Sequence, residues 1–435
     1  MFQGQKDSAV KKNKKVVVGY DLGCNFAQIS YCALEDAEPE TVSAVAGTEQ
    51  YNIPMVLCKR SGVGQWYYGK EAVKFAREGN GILVENLLML AERGEDVIVE
   101  GEAFDPVALL TLFVKRSLTL LNIRASLSQV EAFMFTVGEL TPRMVDVLGK
   151  VALGLQLSAR HICFQSHRES FYAYMLHQNR ELWKNDVMIF EYDMLLKSMY
   201  LERNVRTTPK VVFIRQEDYP EMERIIWAED ESEKQQQMTD LDMQFLTIAE
   251  EILKGSNVST IFLLGDGFKE GWAKESLKLL CRNRRVFQGN NLYSKGACYG
   301  MMERMNPSAE WKENVYLGVD KLKSNIGMQV LRQGKDSYYA VMDAGVNWYE
   351  AEKEFDIILE GGNELRFVIT PLTGGNVTHR SIALDGLPER PAKTTRLNIH
   401  VEMTAVDQAA ITVEDMGFGE FFPSSGKAWT HNIQV

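Results

Sequence analysis

Val16-Val-Val-Gly-Tyr-Asp-Leu-Gly-Cys-Asn25 is the stretch on which the fold turns. Three contiguous valines read as a buried strand, because β-branched side chains pack well on a pleated surface. Asp21-Leu-Gly23 marks a tight turn, and an apolar run resumes from Ala27 to Leu34. Working outward, strand and helix patterns alternate. A third strand is predicted at Ile53 to Cys58, opened by Asn52 and interrupted by Pro54. Helices are predicted over Gly69 to Glu78 and Asp105 to Leu121, the second with Asp105 as N-cap and Pro106 at its first position. Val130 to Val137 reads as a strand, and Thr141-Pro142 opens a helix to about Leu155. A short strand near Ile162, a helix from Ser170 to Leu182 and a strand from Val187 to Phe190 follow. This alternation predicts an α/β layer architecture.

Residues 228 to 240 are polar, acidic and Gln-rich, which predicts an exposed loop. Leu241 to Leu253 is amphipathic and helical, Ser259 to Gly265 is a strand ending in a glycine turn, and Gly271 to Cys281 is a helix. Composition changes near residue 305. From Tyr338 onward the pattern is all-β, with alternation in Glu354 to Leu359, Leu365 to Ile369, Leu397 to Met403 and Ala410 to Glu414. Short alternating strands with regular turns predict a β-sandwich. The expected layout is a flexible tail over 1–15, an α/β domain over 16–304, a linker over 305–323 and a sandwich over 324–435.

The 435 residues carry a formal net charge of −11, which argues against nucleic acid and anionic membrane as partners. Lys11, Lys12, Lys14 and Lys15 form the one basic run noted, read as a solvated tail. Six scattered cysteines without a CxxC pair fit reduced thiols. No signal-peptide core is seen at the N-terminus, and no window approaches the roughly 18 apolar residues that span a bilayer. A cytoplasmic location is expected. None of the six histidines pairs with carboxylate or cysteine at ligand spacing within one element, so no metal site is expected. Gly417-Phe-Gly-Glu-Phe-Phe-Pro-Ser-Ser-Gly-Lys427 superficially suggests a phosphate loop. It lacks the required glycine spacing and reads as a surface hairpin. Trp66-Tyr67-Tyr68 reads as a packed strand.

Val18 to Asn25 resembles the first phosphate loop of the actin-like ATPase superfamily, where turn amides face phosphates and a carboxylate holds hydrated metal. Asn52-Ile-Pro-Met-Val56 with Tyr68-Gly-Lys-Glu-Ala72, and Phe135-Thr-Val-Gly138 with its following helix, are similar to segments of the seventy-kilodalton heat-shock chaperones. So are Ile261-Phe-Leu-Leu-Gly-Asp-Gly267 and Tyr293-Ser-Lys-Gly-Ala297, which resemble the adenosine loop and the closing helix. Asn325-Ile-Gly-Met328, Leu384-Asp-Gly-Leu-Pro-Glu-Arg-Pro391 and Ile399-His-Val-Glu-Met403 resemble the chaperone's peptide domain. The resemblance implies a two-lobed actin-like, heat-shock-chaperone ATPase-type domain followed by a C-terminal β-sandwich, without the helical lid. It implies Asp21, Gly23, Asn25, Gly265, Asp266 and Gly267 as the vestige of a nucleotide site.

The departures argue against catalysis. Phosphoryl transfer requires positioned charge around the phosphates, yet Gly81 to Arg93, where the family's lysine should fall, contains none. Ser166 stands at the family's glutamate position, with Glu169 a turn away. The second phosphate loop, Glu191-Tyr-Asp-Met-Leu-Leu196, has no glycine, and its side chains bar phosphates from the backbone. The expectation is a pseudo-ATPase without catalytic residues. ATP or ADP with magnesium is a weak ligand at most. The alternative is a weak ATPase rebuilt on Asp21, Glu169, Glu191 or Asp193. By resemblance, Met328, Val330, Leu331, Phe355, Ile358 and Leu365 would wall a channel for an extended peptide, making a protein or peptide the expected partner. The residues alone read equally as a sandwich core.

Overall fold

The computed structural model describes residues 14–45, 47–157, 159–289 and 291–435. The tail expected over 1–15 therefore lies outside the described residues except for Lys14 and Lys15. The fold is mixed α/β with several sheets. The chain divides into two units, Met1–Glu202 with Ile214–Lys312, and Arg203–Phe213 with Glu313–Val435.

The first unit holds two sheets of one design. The first contains β1 (Val16–Leu22), β2 (Phe26–Ala33), β3 (Glu40–Thr41), β4 (Val130–Val137) and β5 (His161–Ser166), in the order β5-β4-β1-β2-β3. β2 is antiparallel to β1, whereas β4 runs parallel to β1 and β5 parallel to β4. The second contains β6 (Asp186–Tyr192), β7 (Leu195–Asn204), β8 (Lys210–Glu223), β9 (Val258–Leu264) and β10 (Arg285–Gln288), in the order β10-β9-β6-β7-β8, with Arg203–Phe213, the end of β7 and the start of β8, counted in the second unit. Again the hairpin partner is antiparallel and the next two strands are parallel. Each sheet is thus an antiparallel hairpin extended on one side by two parallel strands.

Helix packing fixes the first sheet. The helix Leu292–Met305 lies on β1 so closely that a Cβ at Gly19 would sit 2.2 Å from the Ser294 carbonyl oxygen. A Cβ at Gly296 would meet the carbonyl of Ser170, on the helix His167–Leu176, at 2.0 Å. These glycines are there for close approach.

Several elements differ from expectation. The polar stretch 228–240 is no loop: it enters one 23-residue helix, Glu231–Leu253. Asp230 caps it, accepting from the Ser232 and Glu233 amides at 3.0 Å each. Leu241, Phe245, Ala249 and Leu253 are buried in its second half, so packing there carries the exposed first half. The strand expected over Ile53 to Cys58 is split into Ile53–Pro54 and Leu57–Arg60. The helix expected from Ser170 to Leu182 starts at His167 under a Ser166 cap and ends at Leu176. The one expected over Gly271 to Cys281 is shortened to Lys274–Leu280. Pro106–Ile123, with mean hydropathy 1.4, is long and apolar enough to cross a membrane by length and composition, contrary to the expectation that no window approaches this. Its Leu109, Leu110, Phe113, Val114 and Leu121 are buried in the first unit.

The second unit contains β11 (Ser324–Arg332), β12 (Lys335–Met342), β13 (Glu352–Leu359), β14 (Glu364–Pro371), β15 (Thr378–Ala383), β16 (Thr395–Ala405), β17 (Gln408–Gly417) and β18 (Ala428–Gln434). They form two four-stranded sheets, β12-β11-β14-β15 and β13-β16-β17-β18. One apolar cluster draws Ile326, Phe367 and Ile369 from the first and Leu397, Ile399, Val401 and Ile411 from the second. The period-2 alternation of β16 places these side chains on one face. Asn314–Tyr316, in the segment expected as a linker, pairs in parallel with Lys210–Val212 within this unit. The Gly417–Lys427 stretch joins β17 to β18. It is pinned by Arg390, whose guanidinium donates to both Asp415 carboxylate oxygens at 2.8 and 2.7 Å and to the Pro423 carbonyl. Asp415 also accepts from the Gly417 and Ser425 amides.

Candidate functional site

Six strand ends of the first unit meet at a cleft of about 560 Å³. Gly23 follows β1, Gly138 follows β4, His167 follows β5, Asp193 follows β6, Gly265 follows β9 and Gly289 follows β10, and all six line it. Carboxyl ends of parallel strands are where open α/β sheets place ligands, because the loops there diverge.

On one wall His167 Nε2 donates to Asp21 Oδ1 at 2.7 Å, both groups being buried. The His167 ring stacks on Tyr293 at 4.0 Å between centroids and 5° between planes. Tyr293 in turn donates its hydroxyl to Glu191 Oε2 at 2.7 Å. Desolvation works against the imidazolium, but the charge and hydrogen bond of Asp21 outweigh it and hold the His167 pKa above its ordinary value. Glu191 is raised chiefly by desolvation, only partly relieved by His167 and the Tyr293 hydrogen bond.

The opposite wall comes from the β6–β7 hairpin and the turn after β9. Asp193 Oδ1 accepts the Asp266 amide at 2.9 Å, and desolvation raises the Asp193 pKa. Asp266 accepts from Asn52 Nδ2 at 3.2 Å and pairs with Lys269 at 2.6 Å. Gln28 donates to Asn52 at 2.6 Å and completes that chain. Six carboxylates line the cleft, from Asp21, Glu139, Glu191, Asp193, Asp218 and Asp266, against Lys197 and His167.

Asp21, Gly23, Asn25, Gly265 and Asp266 all line this cleft, and Gly267 does not. The glycines answer to packing as well as to any ligand. A Cβ at Gly265 would sit 2.5 Å from the Tyr192 carbonyl oxygen, and one at Gly267 would sit 2.4 Å from it. The Gly23 amide is already bonded to the Phe26 carbonyl at 3.0 Å. Of the residues of a rebuilt site, Asp21, Glu191 and Asp193 come together. Glu169 stands apart, buried and 3.6 Å from Arg304. Leu88, from the stretch expected to supply a lysine, lines the cleft instead.

Residues 38–319 match the C-terminal region of a family of unknown function, DUF5716. The chain belongs to that family. Residues 321–435 of this DUF5716 member match a second domain of unknown function, DUF8552. No curated protein matches the chain.

The DUF8552 region holds the six expected channel residues, and they separate by burial. Met328 and Leu365 lie in the shared apolar cluster, Val330 and Phe355 are half-buried against it, and Leu331 and Ile358 are exposed. In the DUF5716 region, local motifs did not point to His167, Glu139, Lys197 or Asp218. The one signal for His167 was its place beside Ser166, at the end of a strand parallel to β4.

Proposed function

We propose that the protein is a non-hydrolysing relative of the two-lobed actin-like and heat-shock-chaperone ATPases, acting as a protein- or peptide-binding scaffold through a C-terminal β-sandwich. The repeated strand order of the two sheets in the first unit supports the two-lobed reading. The single core shared by two four-stranded sheets supports the sandwich.

The charge of the cleft carries the non-hydrolysing part. A nucleoside triphosphate needs cations and free amides around its phosphates. Here it would meet six carboxylates and one lysine, with the Asp266 amide already taken by Asp193. Asp21, the carboxylate that would hold hydrated magnesium beside the phosphates, is bonded through Oδ1 to His167 at 2.7 Å. Leu331 and Ile358, exposed on β11 and β13, support peptide binding by the second unit.

Calorimetry of the full chain with ATP and ADP at millimolar magnesium is expected to give no saturable heat. Binding at micromolar affinity would sink the non-hydrolysing reading. Extended apolar peptides, followed by fluorescence anisotropy, are expected to bind and to weaken by about tenfold with Ile358→Asp, one well-placed apolar contact being worth that much. Peptide binding indifferent to Ile358→Asp and Leu331→Asp would sink the scaffold surface.

A further inference from the structure

We propose that β10, the outer strand of the second sheet in the first unit, receives an acidic extended segment of a partner protein as an added strand. The surface lies along the open edge and amino end of β10. It rests neither on the cleft at the carboxyl end nor on the sandwich.

The first support is an open edge. β10 ends its sheet and pairs with β9 alone among the described residues. The Gly289 amide donates to the Leu263 carbonyl of β9 at 3.0 Å. Successive residues of a strand face opposite neighbours, so Val286 and Gln288 turn their amides and carbonyls to the open side. Such a row is a template for a further strand. Phe287 stacks on Phe262 at 5.4 Å between centroids and is still 38% exposed. It offers a half-covered ring to an apolar side chain of the incoming strand.

The second support is the charge beside that edge. In a chain of net charge −11, Arg282 and Arg284 stand in the turn into β10 and Arg285 at its first position. Arg284 donates to the Arg282 carbonyl at 3.3 Å, and its Nε has no partner. Neither Arg282 nor Arg284 meets a carboxylate among the described residues. Arg285 is held by Glu181 at 3.3 Å, a pair more than half exposed on both sides and worth little. Guanidinium groups left in this state suit carboxylates, which they hold by paired hydrogen bonds.

Charge also selects among occupants. Open edges are commonly guarded by charged side chains, and a guard of one sign admits a strand of the other. A second copy adding through the same edge would gather six arginines around one four-residue ladder. Single-stranded nucleic acid would meet the arginines but leave the outward main-chain groups unpaired. An acidic strand uses the arginines, the main chain and the Phe287 ring together.

The test is fluorescence anisotropy of the full chain with a labelled, end-blocked peptide of alternating glutamate and valine, and with its lysine–valine counterpart. Saturable binding is expected for the acidic peptide, tighter at low ionic strength, and none for the basic one. Arg282→Gln/Arg284→Gln should weaken it by at least about tenfold. Gln288→Pro removes one outward amide at an exposed edge position where proline is tolerated, and should weaken it by about fivefold. Lys74→Gln/Arg77→Gln on the helix Gly69–Arg77, and Leu331→Asp/Ile358→Asp in the second unit, should leave it unchanged. Thermal melting of the variants confirms folding. No saturable binding overturns the proposal. So does equal weakening by Lys74→Gln/Arg77→Gln, which means bulk charge attraction, or indifference to Gln288→Pro, which means attraction without strand addition. Loss with Leu331→Asp/Ile358→Asp assigns the peptide to the sandwich and also overturns it. An oligothymidylate of equal charge should bind more weakly than the peptide, and tighter binding overturns the proposal in favour of nucleic acid.

Discussion

Glu191 and Asp193 in the cleft of the first unit, and Asp415 under the β17–β18 loop of the second, are carboxylates withdrawn from water and treated in opposite ways. Asp415 receives a bidentate guanidinium and two backbone amides, and these hold its carboxyl well below the usual range. Glu191 and Asp193 receive one neutral donor each, and burial pushes both above it. The first arrangement stabilises the fold. The second costs stability, and strained electrostatics of that kind gathers where a ligand or reaction is served. The difference teaches which charged residues to regard as scaffold and which as site.

The comparison breaks most easily at Arg390. Arg390→Met leaves Asp415 buried without its cation and is expected to cost about 3–5 kcal/mol by urea denaturation. A loss under about 1 kcal/mol would mean the loop is not held by that pair. In the cleft, Glu191→Gln and Asp193→Asn should leave stability unchanged or raise it by up to about 1 kcal/mol. A clear loss from either would reclassify that carboxylate as scaffold.

The pH dependence should differ in sign. Asp415 has a depressed folded pKa, so its stabilisation is fully present above the unfolded value near pH 4 and is lost as pH falls below it. Glu191 and Asp193 have raised folded values, so the folded chain holds their protons longer and their penalty grows as pH rises above about 4. Between about pH 3 and 7, the deficit of Arg390→Met should therefore shrink toward acid. The advantage of Glu191→Gln should grow toward neutral. Parallel curves for both variants would remove the distinction.

How much of this was legible in the sequence depended on range. The valines of β1, the Asp105-Pro106 and Thr141-Pro142 helix starts and the alternation of β16 are local signals, and each element stands where its pattern puts it. The helix over 231–240 was illegible because its exposed half has no apolar stripe. Its stability comes from a cap and from side chains a dozen residues further on. The cleft was half legible. Asp21, Gly23 and Gly265 announce turns after strands, but the bond between Asp21 and His167 spans 146 residues and leaves no mark on local spacing. Burial in the second unit was hidden for a related reason. Met328 and Leu365 look like wall residues in a one-dimensional pattern, and only the facing sheet makes them core.

The helix Leu292–Met305 has a consequence for how the chain comes to fold at all. It belongs to the late part of the first unit, yet Gly19 and Val17 in β1 rest against it. Ser294 bonds to Ser30 at 2.8 Å and the Cys298 thiol bonds to the Val17 carbonyl at 3.9 Å. During synthesis the β1–β2 hairpin therefore emerges with one face uncovered and waits while more than 250 further residues are made. Closing so long a loop is slow, and an uncovered sheet face is sticky in the meantime. A nascent chain stalled before Leu292 should expose β1 to proteases and holdases, and release past Met305 should end that exposure in a single step.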